Sequence, residues 1–181
     1  MAALIMPCGV LLAKESNSPA AATSSNANWY DVEQASDLFS RMTVRAREVR
    51  QEVGPLQVQG YALNWRDHAA RLVRISDHIN DIGRDLQSLD QIKGRLEPWQ
   101  QNLVAKVTPN VHGMVYQTDQ ALTTLASRED RHTLRLTDYP NNIDQIYRNA
   151  DQMINTIQSV TKAAHGEQMS ALRGTSTNPG S

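Results

Sequence analysis

The sequence predicts an all-α protein, an up-down-up-down antiparallel four-helix bundle with a disordered N-terminal linker and C-terminal tail. Three observations carry that expectation. First, Val58, Tyr61, Trp65, His68, Leu72, Ile75, Ile79, Ile82, Leu86 and Leu89 recur at alternating spacings of three and four. That spacing lays them along one side of a long helix. Second, three further segments carry ladders of the same kind, separated by connectors short enough to make sequential helices antiparallel. Third, three Trp, five Tyr and one Phe in 181 residues leave a core of Leu, Ile, Val and Ala, as helix-on-helix packing uses.

The first helix is expected to start near Trp29. Its rungs are Ala35, Phe39, Met42, Ala46, Val49 and Val53, and Gly54-Pro55 is expected to stop it. Leu56 to Gly60 is a connector or a frayed start. The second helix carries the long ladder and ends at about Lys93, with Gly94 as its cap. Pro98 suits the first turn of the third helix, whose rungs are Leu103, Val107, Val111, Met114, Thr118, Ala121 and Leu125. Pro109 interrupts this ladder, and Thr108 is placed to cap a restarted helix, so a kink is expected there.

Ser127 to Asp138 is charged and aperiodic, a connection. The fourth helix starts near Pro140, with rungs Ile143, Ile146, Ala150, Met153, Ile157, Val160 and Ala164. The bundle domain is therefore expected over residues 29–173, after a linker at 14–28 and before a disordered tail at 174–181. A two-chain coiled coil satisfies the same spacing. The connectors over 54–60 and 128–139 favour folding back within one chain.

A net charge of −1 gives the chain no polyanion-binding signature, so no nucleic-acid partner is expected. The single cysteine, Cys8, excludes an internal disulfide and a cysteine-based zinc site. Residues Ala2 to Ala13 form an apolar run of 12, broken by Pro7 and Gly9. That is too short for a membrane-spanning helix. It has the length of a signal-peptide core, though no Lys or Arg precedes it. Residues 1–13 are read as an export-signal remnant, which places the protein in the periplasm or cell envelope; the alternative is the cytoplasm. Lipidation through Cys8 fits poorly, because Pro7 stands where a small residue is expected.

His68 lies on the ladder between Trp65 and Leu72, so it reads as a buried, hydrogen-bonded core histidine. His78 and His112 are a different case. A hairpin turning near Arg95 puts them level on facing helices, each beside a rung, with Met114 and Asp81 in reach. Two histidines on facing helices begin a metal or haem site in bundles. Met42 and His165 also suggest a haem pair. The same level arithmetic sets Met42 opposite about residue 149, which leaves His165 roughly 24 Å further along. Gly83 lies level with Val107 and Thr108, so its missing side chain is expected to admit the neighbour bent at Pro109.

Arg41, Arg45, Arg47 and Arg50 head an arginine-rich stretch that suits an anionic envelope surface, or else a solvated helix face with local pairs. No phosphate-cradling glycine loop, Ser/His/Asp spacing or His-Glu-x-x-His motif is present.

Residues 60–140 resemble a group of uncharacterised exported bacterial helical proteins. The resembling residues are Tyr61, Trp65, His68-Ala69, Leu72, Asp77-His78-Ile79-Asn80, Gly83, Leu86 and Leu89. Pro98-Trp99-Gln100, Val107-Thr108-Pro109 and Tyr139 continue the pattern. The resemblance implies export and a helical bundle, and supplies no catalytic residue. The expected function is a non-enzymatic exported bundle that works by interaction at the cell envelope, with a protein partner or a second copy and no cofactor. The alternative is a metal- or haem-binding bundle using His78 and His112.

Overall fold

Helix α1 spans Trp29–Val58. Asn28 precedes it and accepts a hydrogen bond from the Tyr30 amide at 3.4 Å. All six expected rungs of α1 are buried, joined by Leu38 and Leu56. Gly54-Pro55 does not stop this helix, which continues for another turn. The physical reason lies in the pair itself. A proline clashes with the Cβ of the residue before it, and Gly54 has none. Leu56, 4% exposed, anchors the extra turn in the core.

The computed structural model describes residues 28–58, 64–127 and 138–175. Helix α2 spans Trp65–Ile92 and is followed by a 3-10 turn at Lys93–Arg95. Helix α3 spans Pro98–Ala126 and helix α4 spans Tyr139–Thr175. The export-signal reading, Tyr61 and the charged stretch over 128–137 lie outside the described residues, as does the tail from residue 176. Gly174, expected in that tail, is still helical. None of the described helices is long and apolar enough to cross a membrane.

The starts of α2 and α3 have local causes. Asn64 caps α2, its Oδ1 accepting from the amides of Arg66 at 2.9 Å and Asp67 at 3.0 Å. Glu97 and Gln100 form a reciprocal capping box around the first turn of α3, with Pro98 in the position where its missing N–H is harmless. Gly94 is not a left-handed cap, since no described glycine has a positive φ. Helix α3 runs unbroken through Pro109, so Thr108 caps no restart. Its hydroxyl donates instead to the Val104 carbonyl one turn back, at 2.7 Å.

Packing follows chain order and closes a ring: α1 lies against α2 and α4, α2 against α3, and α3 against α4. The result is the expected four-helix bundle, folded within one chain. Its core is Leu, Ile, Val, Met and Ala, with Leu72, Ile75, Ile82, Leu89, Leu103, Met114, Ile146 and Met153 fully buried. Each such side chain contributes about 1.5–3 kcal/mol by leaving water.

The long ladder is the core stripe of α2 from His68 onward, and three of its described rungs depart from that stripe. Val58 belongs to α1 and is 84% exposed, and Trp65 is 52% exposed. Further on, Asp85 takes the buried position that the ladder assigned to Leu86, which is only partly buried.

Polar bonds tie the helices that lie diagonally in this ring. At one end, His68 Nδ1 of α2 lies 2.8 Å from the Tyr139 hydroxyl of α4, and both residues are buried. At the other end, fully buried Gln100 of α3 donates to the Val32 carbonyl of α1 at 3.0 Å. Beside it, Arg95 pairs with buried Asp31 at 3.0 Å.

Gly83 does not admit a close neighbour: a Cβ built there meets nothing within 4 Å. The close approach is at Gly113 of α3. A Cβ there would lie 2.7 Å from the Asn149 amide nitrogen of α4.

Candidate functional site

The polar residues of α1 and α2 meet in a regular series. Arg41 pairs with buried Asp85, and Arg45 Nε lies 3.3 Å from Asp81. Glu48 lies 3.2 Å from His78 Nδ1. Glu52 is held by both nitrogens of the Arg74 fork at 3.0 Å and by Arg71 at 2.8 Å. As α1 advances by a turn, its partner on α2 retreats by a turn, which is the signature of an antiparallel pair. The hydrogen bond from Arg74 holds the Glu52 carboxyl below the usual glutamate range, against the opposing effect of partial burial.

This series decides the histidine pair. His78 points to Glu48 on α1, while His112 is exposed on α3. Met114 is fully buried, and Asp81 is bonded to Arg45 and Arg84. The structure therefore does not bring His78, His112, Met114 and Asp81 together. Among the described residues no three His, Cys, Asp or Glu side chains form a group able to hold a metal. The helices are antiparallel as expected, but a residue one step off the rung can turn towards either neighbouring helix.

The arithmetic also misplaces α4 against α1. Arg50 of α1 pairs with Asp151 at 2.9 Å, and Gln57 donates to Asp144 at 3.0 Å. That register sets Met42 about ten residues further along α4 than expected, closer to His165. The pair still fails as a haem site, because Met42 is fully buried and His165 is exposed.

Of the four arginines assigned to an anionic surface, three are used within the bundle. Arg41 and Arg45 belong to the series with α2. Arg50 pairs with Asp151, donates to the Tyr147 hydroxyl at 2.9 Å and lies 5.0 Å over that ring. Arg47 is exposed and makes no ion pair among the described residues.

Arg47 instead borders an open trough of about 690 Å³ between α1 and α4. Phe39 of α1 and Ile157 of α4 form its floor, at 3% and 5% exposure. Trp99, at the start of α3, also lines it, with its indole N–H donating to Glu97. Lys162 and His165 project from α4 on the same trough, and none of the described residues lining it is acidic. A shallower hollow continues past Arg47 to Arg50, Gln51 and Tyr147. Sequence reading missed this trough, because it depends on which faces of the first and last helices come together. The available signal was an arginine without a carboxylate at helical spacing on the opposite helix.

Comparison with protein-family models, curated proteins and solved structures finds no match to this chain.

Proposed function

We propose that this protein is a non-catalytic helical bundle, exported to the cell envelope, that works by binding a partner. The observation that supports this most is the trough between α1 and α4. It sets apolar surface beside Arg47 and Lys162, which make no ion pair among the described residues. Along the α1–α2 seam the charged side chains neutralise one another, whereas Arg47 and Lys162 have no such partner among the described residues. A surface with an apolar centre and a polar border is the usual composition of a recognition site. Export is supported by the apolar run Ala2 to Ala13 and by the resemblance to exported helical proteins.

Cell fractionation and light scattering test the two parts. The full chain is expected in the envelope or periplasmic fraction. It is expected to migrate as a defined complex in envelope extract, heavier than the 20.2 kDa chain alone. A strict monomer that retains no partner overturns the binding reading, and a wholly cytoplasmic protein overturns export.

A further inference from the structure

We infer that the α1/α4 trough docks an acidic amphipathic helix of the partner; this rests on the interaction reading above. Charge selects the sign of the occupant. Arg47 lies towards one end and Lys162 and His165 towards the other, with no carboxylate among the described lining residues. A ligand carrying negative charge along its length satisfies both ends, whereas a single anionic headgroup satisfies one.

Shape selects the kind of occupant. Small molecules bind where most of their surface is enclosed, and this trough is open along its outer side. A helix laid along it sets one apolar stripe against Val44 and the part-exposed Trp99, above the covered floor, and keeps its other face in water, the usual helix-in-groove arrangement. Val44 is 49% exposed, so the apolar surface open to an occupant lies at the border. Length agrees. From Ser36 to Gln51, the trough and the hollow that continues it extend about 22 Å along α1. A helix of about fifteen residues has that length.

The test uses the full chain with Trp29→Phe and Trp65→Phe, so that Trp99 is the only tryptophan reporter. Two synthetic helical peptides of about fifteen residues are titrated. Both carry leucine at i, i+3, i+4 and i+7; one has glutamate along the flanks and the other has lysine there. The acidic peptide is expected to change Trp99 fluorescence saturably and to bind about tenfold more tightly than the basic one. Arg47→Glu with Lys162→Glu is expected to cost the acidic peptide about tenfold in affinity, with helicity and melting unchanged. Arg47→Gln with Lys162→Gln gives a milder loss of the same sign and serves if the reversal fails to fold. Failure of both peptides to bind, equal binding of the two, or indifference to the reversal overturns the trough assignment. A heavy complex in envelope extract that persists in the charge-reversed protein also overturns it, while leaving the interaction reading in place.

Discussion

The side-chain amide of Asn149 on α4 fills the space beside Gly113 on α3. A Cβ at residue 113 would stand 2.7 Å from Asn149 Nδ2 and 3.0 Å from its Cγ. Gly83, on α2, has nothing within 4 Å of the same built atom. Alanine favours a helix interior over glycine by about 1 kcal/mol, so Gly83→Ala should stabilise the protein by about that amount. Gly113→Ala should forfeit the gain, because Asn149 has to move. Gly113→Leu should cost about 1–3 kcal/mol by overpacking. Urea denaturation measures all three, and equal gains from alanine at both positions would rule out the close approach.

The bond between His68 and Tyr139 should show in both stability and its pH dependence. Tyr139→Phe removes one partner of a buried pair and should cost about 1–3 kcal/mol at pH 7. Burial raises the Tyr139 hydroxyl above the usual tyrosine range. The unfolded chain therefore releases this proton near pH 10 while the folded chain keeps it. Stability present below about pH 10 is lost as pH rises towards the folded value. The gap between wild type and Tyr139→Phe should narrow in that window. A gap independent of pH up to about 11 would remove Tyr139 from the alkaline limb.

Glu52 should act on the acid limb with the opposite sign. Its carboxyl is depressed chiefly by the hydrogen bond from Arg74, so its stabilising effect is complete above the usual glutamate value of about 4.3. That effect disappears as pH falls through the lower folded value. Glu52→Gln should cost up to about 1 kcal/mol at pH 7, because the pair is partly solvated. The variant and wild type should converge in strong acid, and parallel curves down to about pH 2 would count against the assignment.

His78 and His112 should behave as unrelated residues. His78→Ala loses the contact with Glu48 and should cost about 0.2–1 kcal/mol. His112→Ala, at an exposed position, should stay within about 0.5 kcal/mol of wild type. Equimolar zinc should leave the melting temperature unchanged, since a site binding only the folded form would raise it. A zinc-dependent rise that both substitutions abolish would restore the metal reading.

The periodicity of this chain carried most of the fold. The rungs of α1, α3 and α4 were legible because burial repeats every three or four residues on a helix, whatever the neighbouring helix is. The ambiguity began where two choices obey the same spacing. From Ile82 to Leu89 the chain can step through Asp85 or through Leu86. Apolarity alone favours Leu86, yet Asp85 is the buried one because Arg41 of α1 meets it there. Gly54-Pro55 misled for a different reason: a glycine before a proline presents no Cβ for the proline ring to clash with, so the helix can continue.

By itself, then, the sequence determined that there are four amphipathic helices, where their core stripes run, and that His68 is buried. All of these are local or periodic properties of one segment. Only the tertiary structure decided that His78 faces Glu48 rather than His112, that Gly113 rather than Gly83 is the close contact, and that Arg47 borders an open trough while its neighbours are paired. Each of those depends on the rotation and register of one helix against another. Side chains one step off a stripe turn to different neighbours with a small rotation, and the spacing along a single helix does not encode that angle.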